Sequence, residues 1–260
     1  MTIAHDSSST SLATRDKLPI VTALVGVTLI AWIYLFRLAG EMENMGAAEM
    51  MQLQPWSVSD FILMFFMWAV MMVGMMVPAA TPTTLVYAAV ARKAARQGTP
   101  VAATGTFVAG YLVMWGLFSI GATLAQWGLE RGALLSAMMV SASPMLGAGL
   151  LVAAGTYQLT PMKSACLRHC RSPAYFIAEQ WRTGIMGAFR MGMHHGLFCL
   201  GCCWMLMGLL FVGGVMNLAW IAIIATFVLL EKLVPAGPVG GRVAGGAMIA
   251  TGIIMLFVGR

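Results

Sequence analysis

From Phe61 to Ala91 no charged side chain interrupts the chain, and that stretch limits the fold more than any other feature. A helix that crosses a bilayer needs roughly 20 mostly apolar residues, and it must satisfy its backbone polar groups internally because hydrocarbon offers no partners. Further apolar runs predict spans over about 18–36, 99–126, 134–157, 192–212, 216–230 and 240–258. With 61–91 this gives about seven. The 61–91 run exceeds one bilayer thickness and contains Pro78 and Pro82, which predict a break or kink. Ser143-Pro144 predicts a kink or restart in the fourth span, and the fourth and the short sixth are the two irregular enough to be re-entrant. Only 9% of residues are charged, against about 25% in soluble domains, so a water-soluble fold is excluded.

Basic residues alternate from loop to loop. Arg15 and Lys17; Arg92, Lys93 and Arg96; Lys163, Arg168, Arg171, Arg182 and Arg190; and Lys232 and Arg242 fall on one side, which the positive-inside rule makes cytoplasmic. Glu41, Glu43, Glu49 and Asp60, then Glu130 with Arg131, face outward. The net charge of +6 therefore reports topology and implies no nucleic-acid partner. The expected fold class is all-α: a polytopic helical membrane bundle with a cytoplasmic N-terminus and the lipid bilayer as its first partner. Residues 1–17 form a polar cytoplasmic segment leading into an uncleaved anchor, and 18–260 form one membrane domain with an inner helical loop over 159–190. Thr99-Pro100, Thr160-Pro161 and Ser172-Pro173 each carry a cap-then-proline helix start. The last two predict helices over 161–170 and 173–189. The second of these places Ile177, Trp181, Ile185 and Phe189 on one stripe, as an interfacial amphipathic helix would.

Soft donors are unevenly distributed. All five cysteines and three of the four histidines lie between Cys166 and Cys203. In Cys166-Leu-Arg-His169-Cys170, helical spacing puts both sulfurs and the imidazole on one face. In the segment from Met191 to Met207, His194 adjoins His195; His195, Cys199 and Cys202 share a stripe; Cys199, Cys203 and Met207 share another. A lone cysteine in a span is ordinarily packing, but five thiols with imidazoles at one depth favour metal binding. An odd number of cysteines facing a reducing compartment argues for free or metal-bound thiols. Thiolate and thioether donors select Cu(I), while Cys and His without Met suit Zn(II) as well. Ten of the 24 methionines lie between Met42 and Met76. Met42, Met45, Met50 and Met51 sit in the acidic outer loop, and Met64, Met67, Met71, Met72, Met75 and Met76 on the second span, where core packing is the competing explanation. Together they suggest soft donors running from an outer loop, down the second span, to an inner Cys/His site. Glu231-Lys232 ends the sixth span as a paired group or as a neutraliser of bound cation. Gly241 with Gly245, and Gly246 with Ala250, are helix-packing pairs. No nucleophile elbow, phosphate loop or H-E-x-x-H is present, so no enzyme is expected.

The segments Met71 to Pro78, Tyr157 to Lys163 with Cys166 to Pro173, and Gly196 to Met207 through Glu231-Lys232 resemble a bacterial family of predicted metal-binding integral membrane proteins. The likeness covers about Phe61 to Leu256. It implies a multi-pass protein of the bacterial inner membrane and puts metal binding on Cys166, Cys170, Cys199, Cys202, Cys203 and the second-span methionines. The metal ligands expected overall are Cys166, His169, Cys170, His194, His195, Cys199, Cys202, Cys203, Met71, Met72, Met75 and Met76, with copper(I) the expected ion and zinc the second choice. The expected function is soft-metal transport or delivery, with another membrane protein or a metal chaperone as partner and oligomerisation allowed. The alternative is a structural or assembly subunit of a larger membrane complex.

Overall fold

The computed structural model describes residues 14–44, 56–136 and 139–258. Among them the regular structure is all helix: α1 (Thr14–Asn44), α2 (Val58–Arg96), α3 (Thr104–Arg131), α4 (Pro144–Gln158), α5 (Pro161–Arg171), α6 (Pro173–Gln180), α7 (Gly184–Gly208), α8 (Leu210–Gly213), α9 (Leu218–Leu233) and α10 (Gly237–Val258). Five helical segments are long and apolar enough to cross a membrane: Lys17–Met42, Val58–Arg96, Thr104–Arg131, Gly184–Gly213 and Gly237–Val258. The other two expected spans are shorter. α4 has 15 residues and α9 has 16, rising about 22–24 Å against a hydrocarbon core of about 30 Å. The chain restarts at Pro144, where the Ser143 hydroxyl accepts from the Leu146 amide at 3.4 Å.

Three expectations about helix boundaries are corrected. α2 runs through both prolines as one helix of 39 residues, about 58 Å along its axis, so the break expected there does not occur. Hydroxyls surround that section: Thr81 donates to the Val77 carbonyl, Thr84 to Ala80 and Tyr111 to Met76, at 3.0–3.2 Å. α3 starts at Thr104 rather than at Thr99-Pro100, because the Thr99 amide closes the end of α2 on the Ala94 carbonyl (3.0 Å) and the Pro100 carbonyl accepts from Gly184 (3.0 Å). The helix expected over 173–189 is two helices. The chain leaves helix at 181–183 and Gly184 takes φ +76°, a conformation that suits glycine. Ile177 is thereby buried while Ile185 is exposed, so the amphipathic stripe does not exist as one surface. The acidic outer segment with Met45, Glu49, Met50 and Met51, and nearly all of 1–17, lie outside the described residues.

Two glycine-lined helix crossings set the frame. Where α3 meets α7, a Cβ on Gly110 would fall on the Phe189 carbonyl and one on Gly192 on the Phe107 carbonyl. Where α4 meets α10, a Cβ on Gly155 would fall within 2.5 Å of the Gly245 carbonyl oxygen, and one on Gly245 within 2.8 Å of the Gln158 Cβ. Small residues let helix backbones touch in this way. The Gly241 and Gly245 face is therefore consumed inside the chain, whereas Gly246 faces open space. Between the crossings lies one large core in which Met67, Trp68, Met71, Met72, Met75 and Met76 of α2 are buried against Tyr111 and Trp115 of α3 and the cysteines of α7.

Candidate metal centre

α7 places Cys199, Cys202 and Cys203 in that core, each 1% exposed. Cys202 and Cys203 both donate to the Cys199 carbonyl, at 3.0 and 2.9 Å, the back-bond that a short side chain makes to the preceding turn. The second donor segment does reach the first. Cys170 on α5 brings its sulfur to 4.0 Å from that of Cys202, and Cys166, one turn earlier, sits over Gly201, where an added Cβ would lie 2.8 Å from the Cys166 sulfur. From the opposite side the Met76 thioether of α2 lies 4.0 Å from the Cys203 sulfur. Two sulfurs sharing an ion at a bond length of about 2.3 Å stand roughly 3.8 Å apart when tetrahedral and 4.6 Å when linear. Both pairs fall within that range. All five cysteines are free thiols.

Lys232 is the residue that spacing alone does not announce. It is 5% exposed and its ammonium donates to the Cys199 sulfur at 2.9 Å. A buried ammonium needs an anionic partner, and the neighbouring carboxylate is engaged elsewhere: Glu231 pairs with Lys163 at 2.6 Å, both nearly fully buried. The Cys199 sulfur is therefore the acceptor that the Lys232 ammonium finds in the core. The Tyr111 hydroxyl lies 3.1 Å from the same sulfur and donates to the Met76 carbonyl at 3.0 Å, which ties α3, α2 and α7 together at the site.

An outer ring of polar contacts holds α5 in place. Lys163 reaches the Gln158 amide oxygen as well as Glu231. Arg171, at the other end of α5, donates to the Glu231, Val234 and Pro235 carbonyls at 2.5, 2.7 and 3.3 Å, gripping the end of α9. Glu231 is thus a structural partner facing away from the sulfurs. Adjacent helical residues point about 100° apart, which sends Glu231 to α5 and Lys232 to the cysteines.

The histidines behave differently from the sulfurs. His169 turns away from Cys166 and Cys170, stacks on Phe198 at 4.1 Å with parallel rings, and places its Nδ1 3.0 Å from the Ala165 carbonyl. His194 is exposed and meets Gln180 at 3.1 Å. His195 is buried in an aromatic box of Phe107, Tyr111 and Phe176, with its Nδ1 unpartnered. Among the described residues no group of three or more His, Cys, Asp or Glu is gathered to cage an ion. What α2, α5 and α7 bring together is sulfur: the thiols of Cys170, Cys199, Cys202 and Cys203 adjoin one another, with the Met76 thioether beside Cys203. Of the second-span methionines, Met76 touches the cluster directly, while Met71, Met72 and Met75 line the core beside it.

The molecule is thus a bundle of helices, five of them long and apolar enough to cross a membrane, with thiols, a thioether and an ammonium buried together in its core. Residues 65–255 match the PpoB2 family, described as copper chaperone. The chain belongs to that family. No curated protein and no solved structure matches it.

Proposed function

We propose that the protein is a membrane-embedded Cu(I) chaperone that takes the ion between paired sulfurs and passes it to another protein. Copper is the cargo. The observation that carries this reading is the junction at Cys199, where a buried ammonium contacts a sulfur flanked by the Cys170/Cys202 and Cys203/Met76 pairs. A core built only for packing gains nothing from burying Lys232, whose desolvation costs several kcal/mol. A site that must stabilise thiolate sulfur for a soft cation does gain from it. Cu(I) is favoured over Zn(II) because the Met76 thioether beside the thiols is a soft donor. The family's description supports copper.

We place the protein in a bacterial inner membrane with the cysteine end cytoplasmic, following the basic loops. The recipient would then be a membrane protein or soluble metal carrier that approaches from that side. The structural-subunit reading has less support, since Gly241 and Gly245 pack within the chain.

The test is metal content by inductively coupled plasma mass spectrometry on the purified protein beside a Cys199→Ser/Cys202→Ser/Cys203→Ser variant, each then titrated with Cu(I) against a chromophoric chelator. Wild type is expected to carry copper. The triple variant is expected to lose affinity by more than the ~10–100-fold that an outer-shell partner is worth. Absence of Cu(I) binding in wild type, or equal binding in both, would refute the reading.

A further inference from the structure

At the other end of α2, two thioethers converge on a single buried amide. Gln126 of α3 is fully buried, and its carbonyl oxygen accepts from the Trp68 indole at 2.8 Å. An indole N–H can only donate, so this contact fixes the amide and turns its NH2 toward three acceptors: Glu130 at 2.9 Å, the Met139 sulfur at 3.3 Å and the Met64 sulfur at 3.5 Å. An NH2 group has two hydrogens. The Glu130 carboxylate, the strongest acceptor, takes one, and the two sulfurs compete for the other. At least one thioether therefore keeps its lone pairs free. Both sulfurs lie within 3.5 Å of one nitrogen, so they stand no more than twice that distance apart. The other Glu130 oxygen accepts from the Trp56 indole at 2.8 Å, which holds the carboxylate in place. Met139 reaches this position with φ +53°, a left-handed conformation that costs a non-glycine residue about 1–2 kcal/mol.

We propose that Met64, Met139 and the Glu130 carboxylate form a second, weaker site for the soft monovalent cation, and that Gln126 positions them. It is a thioether site with one hard anionic oxygen, and so should hold Cu(I) or Ag(I) more loosely than the thiolates do. Met64 and Met76 are twelve residues apart on one helix, about 18 Å at 1.5 Å per residue. Met67, Met71, Met72 and Met75 lie between them at steps of one to four residues, buried by the protein itself. The two sites are thus the ends of one thioether-lined path. The inference deepens the copper reading and rests on it.

The experiment titrates Cu(I), supplied as its acetonitrile complex under reducing conditions, into the full chain in detergent with a competing chromophoric chelator. Wild type is expected to bind one tight and one weaker equivalent. Met64→Leu/Met139→Leu is expected to lose the weaker equivalent by at least tenfold in affinity while the tight one is unchanged. Leucine conserves volume here and keeps the fold. Glu130→Gln should weaken the same equivalent, and X-ray absorption of the copper-loaded Cys199→Ser/Cys202→Ser protein should report a mixed sulfur and oxygen shell. An unchanged weaker equivalent in the double-leucine variant overturns this inference alone. A tight equivalent that survives the cysteine variant overturns the cysteine site, while loss of the weaker one in the leucine variant would still uphold the thioether site.

Discussion

Glu231→Gln isolates how the molecule holds its inner donors together. The Glu231 carboxylate lies 2.6 Å from the Lys163 ammonium, with both side chains less than 5% exposed. The amide is nearly the same shape, so the substitution removes charge and little else. It leaves Lys163 buried without an anion, and breaking a buried pair in this way costs about 3–5 kcal/mol. The Gln158 oxygen remains as a neutral partner for the ammonium, which favours the lower figure. For a chain of this size each kcal/mol moves the melting midpoint by about 2–4 °C, so a fall of about 6–12 °C is expected. Lys163→Met should do similar damage by stranding the carboxylate. The double variant, with neither charge left to bury, should recover more than half of either loss. Because this pair fastens α5 to α9, Cu(I) affinity should follow the same pattern, dropping in the singles as Cys170 draws away from Cys202 and returning in the double. Melting curves in detergent and the chelator titration measure both. Singles that melt within about 2 °C of wild type, or a double variant no better than the worse single, would refute the reasoning.

Tyr111→Phe removes the hydroxyl between the Cys199 sulfur and the Met76 carbonyl. It should cost about 1 kcal/mol of stability and weaken Cu(I) binding severalfold, as read by the same titration. Gly110→Val would force a side chain onto the Phe189 carbonyl. It should abolish the monodisperse peak in size-exclusion chromatography, whereas Gly246→Ala, which meets open space, should not.

Much of the frame is legible in the sequence because the bilayer imposes a coarse rule that apolar length satisfies. The five longest apolar helices follow from it, as do the start of α5 at Thr160-Pro161 and that of α6 at Ser172-Pro173. Periodicity also groups Cys199 with Cys202 on one stripe and with Cys203 on another, and the structure buries both stripes. Less legible is where a helix stops. Thr99-Pro100 carries a valid start signal, yet its backbone groups are claimed by the end of α2 and by Gly184. The stripe through Ile177 and Ile185 is periodic, but it is cut at 181–183. Side-chain partnership across helices is least legible. Nothing in the pattern around His169 says that Phe198 will hold it away from Cys170, and nothing in Glu231-Lys232 says which of the two meets the sulfurs. Gln126 reads as the end of an apolar run until Trp68 and two methionines from other elements close around it. A contact map, even at low precision, is the signal that would have found Lys232 and Gln126.

The stretch between α3 and α4 has a consequence for the surrounding lipid. Among its described residues, the Ser136 amide donates to the Val140 carbonyl, Met139 to Ser136, Ala142 to Leu134 and Ser141 to Phe211, all at 2.8–2.9 Å. A connection that close-knits its own amides can sink below headgroup level without leaving them unmet, provided protein covers it. α4 and α9 rise only about 22–24 Å each, less than a hydrocarbon core of about 30 Å. A bilayer around helices of such unequal length would thin beside the short ones, and lipids of different tail length would grip the long and the short helices unequally.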